Sequence, residues 1–214
     1  MNITKTDIFR GCLIASIMHA IMTNKYPELS YEQSWDETNY SIQNSSGLYC
    51  TITFDHEFCV GAIRNENDAF LGNSFNFKPQ QYMNYFPLNV VQKANEETLQ
   101  YLLVNNNGIV EPCVTSIFWA DDTAINFDRT IDSTERDLLL IEDILLSEEE
   151  AIDRWTDYYE MDDNAIQLFN EIYLVKKRNF TTKVFLSKEQ ISLIPGSLIN
   201  SECVESLKEI NVFI

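Results

Sequence analysis

The sequence is short of the residues that make a chain loose or stapled. Six glycines and five prolines among 214 residues leave no stretch that reads as a flexible linker. The five cysteines, Cys12, Cys50, Cys59, Cys113 and Cys203, are odd in number and show no C-x-x-C spacing. That excludes a fully paired disulfide framework and points to small buried thiols in a reducing compartment. No apolar run approaches the roughly 18 residues that a membrane span needs. Lys5 and Arg10 precede the apolar CLIASIMHAIM, but Asp7, Ser16 and His19 interrupt that stretch and no small-residue cleavage site follows it. The expectation is a cytoplasmic protein without membrane association.

Reaction signatures are lacking too. The patterns G-x-S-x-G, G-x-x-x-x-G-K-[ST], G-x-G-x-x-G and H-E-x-x-H do not occur. Only two histidines exist, His19 and His56, and neither lies near the acidic stretch 147–163. No cofactor and no metal is expected.

What is present is apolar bulk and negative charge. Hydrophobic residues form 45% of the chain and aromatics 12%, a globular rather than a disordered composition. The length suits one large domain or two small ones, with no need of a disulfide or metal staple. The net charge is −18, and it is unevenly spread: −5 over residues 1–110, −14 over 111–163 and +1 over 164–214. Such a field repels nucleic acid and anionic membrane and favours a basic partner.

Periodicity places the elements. Apolar residues at 8, 9, 13, 14, 17, 18, 21 and 22 predict a helix that begins after a Thr6 cap and ends near Asn24. His19 lies one residue off that stripe, the place of a partly buried structural histidine. Residues 38–64 alternate and predict a three-stranded antiparallel meander. With Asp55-His56 as a two-residue turn, Ile52 faces Cys59 and Leu48 faces Ile63, so one face carries Leu48, Ile52, Phe54, Cys59 and Ile63. FPLNVVQKANEETLQYLLVNNNG reads as a second helix closed by Gly108. CVTSIFW and TAINF, around the turn ADD, form a hairpin in which Asp121 and Asp122 are turn formers.

From Asp132 to Phe180 the pattern is helical, with Asp132 and Glu135 at capping-box spacing and breaks at Ser147 and at Asp162-Asp163. A short strand TKVFLS, a short helix KEQISLI, a helix SECVESLKE and a terminal strand INVFI complete the chain. The order implies a single α+β domain over 1–214 with a mainly antiparallel sheet and a helix-rich C-terminal half. An internal seam is expected near 130, with 1–130 sheet-rich and 131–214 helix-rich.

The stretch SEEEAIDRWTDYYEMDD, residues 147–163, holds eight carboxylates and one arginine. On a helical wheel Ala151, Ile152, Trp155, Tyr158 and Tyr159 share one side, and Glu149, Asp153, Asp157 and Glu160 share the other. Glu150 and Arg154 are spaced for one i,i+4 pair, whereas Glu149, Asp153 and Asp157 form a column of like charge. Three readings stay open: a solvated acidic face, a divalent-cation site without the glycine-centred loop of an EF-hand, and a docking surface for a basic protein. In the docking reading Glu149, Asp153, Asp157, Glu160, Asp162 and Asp163 contact the partner.

The functional expectation that follows is a non-catalytic acidic binding protein. Its small size, acidity and lack of a catalytic motif resemble the character of immunity proteins, which neutralise basic nuclease toxins; the resemblance is one of charge alone. One alternative is a cysteine hydrolase using Cys12 and His56. Their order and element types, a helix-borne cysteine and a strand-end histidine, resemble papain-like hydrolases, although RGCLIA does not match the sequence around that family's cysteine. The other alternative is a structural or oligomer-forming protein whose acidity keeps it soluble. Oligomeric state is not written in the sequence.

Overall fold

The computed structural model describes residues 3–67, 83–127 and 141–214. Its chain divides into two compact units, one of residues 1–8 and 38–142, the other of residues 9–37 and 143–214. The architecture is α+β, as the order of elements implies. The predicted capping pair Asp132 and Glu135 lies outside the described residues.

Helix α1, Lys5–Met22, starts in the first unit and continues into the second. Its cap is Thr4 rather than Thr6. The Asp7 carboxylate accepts from the Thr4 amide at 3.0 Å and from the Thr4 hydroxyl at 2.7 Å, and Asp7 N–H donates back to Thr4 Oγ1 at 3.3 Å. This reciprocal arrangement satisfies two orphan donors at the helix start, which a Thr6 cap would leave open. The helix shows no one-sided stripe in its second half: residues 11–24 are buried all round, as a helix with few polar side chains permits. Gly11 is required there. A Cβ on it would lie 1.9 Å from the Ile144 carbonyl oxygen, so backbone packs against backbone at this point.

In the first unit, strands β2 (Asn39–Gln43), β3 (Leu48–Phe54), β4 (Cys59–Asn65), β7 (Ser116–Ala120) and β8 (Ile125–Phe127) pair antiparallel in that order. The meander is present, but its second turn is longer than the alternation suggests. Phe54 pairs with Cys59, Ile52 with Gly61 and Leu48 with Asn65. Asp55 N–H donates to the Phe58 carbonyl at 2.8 Å, so four residues, not two, turn the chain. Because the register moves by two, the faces keep their composition.

Both faces of β3 and β4 are largely buried. On one of them Val60, Ala62 and Ile117 pack with Val90 and Ala94 of α2 (Leu88–Glu96) and with Leu99 and Leu102 of a 3-10 turn, Thr98–Leu102. Thr51 and Thr53 lie on this face, and Thr53 is satisfied there: its hydroxyl donates to Asn39 Oδ1 at 2.6 Å and accepts from Thr98 Oγ1 at 2.7 Å.

The predicted helix over 86–108 is only half helix. After the 3-10 turn the chain runs into β5 (Leu103–Asn106), turns at Asn107 and Gly108, and returns as β6 (Ile109–Pro112). Asn107 and Gly108 have φ of 53° and 89°, the paired positive values of a tight hairpin turn. Turn chemistry outweighs the helical spacing of the apolar residues before it.

The second unit holds the rest of α1, β1 (Gln33–Asp36), α3 (Glu148–Tyr159), α4 (Asp163–Lys176), β9 (Val184–Phe185), α5 (Lys188–Ile191), α6 (Ser201–Glu209) and β10 (Val212–Phe213). The short β9 and β10 run parallel, Val184 opposite Val212. Asn24 joins the end of α1 to the start of α6. Its amide donates to the Pro195 and Leu198 carbonyls at 2.7 and 3.1 Å, and its oxygen accepts from Asn200 N–H at 2.8 Å. Asn200 in turn caps α6 through Cys203 N–H at 2.8 Å. The buried Lys176 ends α4, its ammonium donating to the carbonyls of Phe180, Thr182 and Asn211 at 3.0, 2.5 and 3.2 Å.

Candidate functional site

The acidic stretch begins with a capping box. Glu150 N–H donates to Ser147 Oγ at 3.4 Å, and Glu150 Oε2 accepts from Ser147 N–H at 3.2 Å and from its hydroxyl at 2.6 Å. This holds the Glu150 carboxyl below its ordinary pKa. It also removes Glu150 from the predicted pair with Arg154, which instead reaches Asp143 at 2.9 Å. Glu148 pairs with Lys177 at 2.5 Å, and that bond is the main cause of its lowered pKa. Glu160 closes α3 in a left-handed conformation at φ 48°. Asp162 caps α4, its Oδ1 accepting from Ala165 N–H at 2.9 Å.

Four carboxylates have no such role in the fold. Glu149, Asp153, Asp157 and Asp163 are exposed and make no hydrogen bond or ion pair among the described residues. Glu160 makes one long contact, accepting from the Tyr26 hydroxyl at 3.4 Å. The structure therefore brings Glu149, Asp153, Asp157 and Glu160 onto one exposed side of α3, with Asp162 and Asp163 following at the start of α4. Among the described residues no group of three or more His, Cys, Asp or Glu is arranged to hold a metal ion.

The opposite side of α3 is core. Ala151, Trp155 and Tyr159 are buried, with Trp155 and Tyr159 stacked at 5.9 Å. The Tyr159 hydroxyl accepts from Gln33 Nε2 at 3.3 Å and lies 2.8 Å from His19 Nδ1. Which atom donates in that contact depends on the imidazole tautomer, and His19 Nε2 makes no hydrogen bond among the described residues. His19, deeper than the sequence implies at 2% exposed, lines a cavity of about 10 Å³ with Ser16, Trp35, Ser206 and Glu209. The space suits a single water. Burial lowers the His19 pKa to about 4, against a smaller opposing effect of the Ser30 backbone.

Tyr158 departs from the helical-wheel expectation. It is 49% exposed, and its hydroxyl donates to Glu32 Oε2 at 2.9 Å. Burial, then the bond to Glu32, raises the phenol to about 12. Glu32 itself is only 8% exposed, and burial raises its carboxyl above the ordinary value. Tyr31, 51% exposed, precedes it in the chain and also acts on the Tyr158 phenol. Neither Tyr31 nor Glu32 stands out in the sequence. The dipeptide follows a 3-10 turn, Pro27–Leu29, in a segment without periodicity.

Cys12 is fully buried in α1, without the exposure that a thiolate nucleophile needs. His56 is exposed in the β3–β4 turn, its N–H donating to Asp55 Oδ1 at 2.7 Å. Asp121 is a turn former: its Oδ1 accepts from Thr123 N–H, the Thr123 hydroxyl and Ala124 N–H at 2.7, 2.6 and 3.1 Å. No helix among the described residues is long and apolar enough to cross a membrane. No protein-family model matches the chain, and neither the curated proteins nor the solved structures contain a match to it.

Proposed function

We propose that the chain is a non-catalytic binding protein whose acidic α3 face docks a basic protein partner, in the manner of the immunity proteins. The observation that carries this reading is that four exposed carboxylates, Glu149, Asp153, Asp157 and Asp163, have no partner within the described residues. In a helix shaped only for its own stability, like charges at i,i+4 cost about 0.2–0.5 kcal/mol per pair. Asp157 also sits in the last turn of α3, where the helix dipole disfavours an anion. A surface held against local stability fits recognition, and its field would speed the approach of a basic protein. The half-exposed Tyr158 beside Asp157 supplies aromatic contact area of the kind that anchors interfaces.

The test is a pull-down at low and at high salt. It uses the wild-type chain and a variant in which Glu149, Asp153, Asp157, Glu160, Asp162 and Asp163 are replaced by their amides. A basic protein held by the wild type at low salt, released at high salt and lost in the variant is the expected result. Equal retention of that protein by the variant overturns the reading.

A further inference from the structure

We propose that Glu32 and Tyr158 form the seat for an arginine side chain of the basic partner, so that the docking surface has a specific anchor at the rim of its acidic face. This inference rests on the docking reading above and names the group that the surface is built to take.

Glu32 is only partly satisfied by the fold. A carboxylate withdrawn from water needs a cation or a full set of donors. Among the described residues Glu32 has one donor, the Tyr158 hydroxyl at 2.9 Å, and no ion pair. Its other oxygen, Oε1, makes no hydrogen bond among the described residues and is not sealed from solvent. One oxygen is thus fixed by the protein, and the other is left without a donor among the described residues.

The surroundings select the ligand. Tyr158, whose hydroxyl holds the carboxylate, is about half exposed, as is Tyr31, the residue before Glu32 in the chain. A planar guanidinium donates to a carboxylate along a fixed fork and stacks on aromatic faces, whereas an ammonium is a compact, strongly hydrated charge. The Tyr158 bond fixes the carboxylate before the ligand arrives, which lowers the ordering cost of binding. The exposed Asp157 and Glu160 on the same helix supply the longer-range attraction.

The experiment titrates an oligo-arginine peptide and an oligo-lysine peptide of equal length into the wild type, into Glu32→Gln and into the amide variant of the acidic face. Glu32→Gln keeps one oxygen as the acceptor for Tyr158 and replaces the other, charged oxygen by an amide NH2. It is expected to weaken the arginine peptide roughly tenfold and the lysine peptide by less than about twofold. If Glu32→Gln leaves the arginine peptide unchanged while the acidic-face variant weakens both peptides, the seat is wrong and the docking face stands. If neither variant weakens either peptide, both readings fall. Should Glu32→Gln not fold, titration of arginine amide into the wild type, followed by NMR of the tyrosine rings, decides. Shifts at Tyr31 and Tyr158 support the seat, and their absence overturns it.

Discussion

Two corners of the second unit each bury a charge, and they do so to different ends. At the end of α4 the Lys176 ammonium has three donors and three carbonyl acceptors, and it is sealed from solvent. Beside α3 the Glu32 carboxylate has one internal donor, and its second oxygen has none among the described residues. A buried ion completed from within is architecture: it ties the helix end to the loop after it and to Asn211 before β10. A buried ion left half complete at the surface is available to something else. Burial alone does not separate these roles; the count of satisfied lone pairs and protons does.

The largest expected effect lies at the completed corner. Lys176→Met leaves three carbonyls without their donor, and a loss of about 3 kcal/mol or more is expected. A urea unfolding series should show the midpoint falling with little change in slope. A loss under about 1 kcal/mol would mean that water or neighbouring amides replace the ammonium, and the contrast with Glu32 would collapse.

His19 stands between the two, with Nδ1 satisfied and Nε2 not. Its pKa falls from 6.5 to about 4 on folding, so the unfolded chain binds the extra proton between those values. The stability this contributes is complete above pH 6.5 and declines as the pH falls towards 4. The decline reaches at most about 3 kcal/mol. Urea midpoints from pH 7.5 to 4 for the wild type and His19→Gln should diverge over that window, with the flatter curve in the variant. Parallel curves would show that His19 binds its proton as readily in the fold as in the unfolded chain.

The smallest effect sharpens the comparison from the other side. Glu149→Gln, Asp153→Asn and Asp157→Asn together should raise stability by a few tenths of a kcal/mol per relieved pair, read as a small rise in the thermal midpoint. A fall would show that these carboxylates serve the fold and are not spare.

Much of this was legible in the sequence where the cause is local. The meander follows from alternation, the start of α3 from Ser147, and the start of α4 from Asp162. Local patterns mislead where two of them compete. TLQYLLV has helical spacing, but Asn107-Gly108 turns it into a hairpin. Glu150 is spaced for Arg154, but the cap takes it first. The strand register differs by two because Asp55-His56 resembles a complete turn and the closing bond reaches Phe58. Glu32 was not legible at all. Its donor comes from Tyr158, 126 residues away, and no spacing rule spans that distance.

Helix α1 carries a consequence for the order in which the protein is made. Asn24, at its end, takes its hydrogen bonds from residues 171 to 176 positions later. The unit it belongs to is assembled from residues 9–37 and 143–214, two pieces separated by the strands. A ribosome therefore releases the most apolar helix first and the segments that cover it last. During that interval its isoleucines and methionines wait uncovered, at synthesis rates of roughly 5–20 residues per second for several seconds or more. The helix that is best protected in the finished molecule is the one most exposed in the unfinished one, and a holding chaperone would find it first.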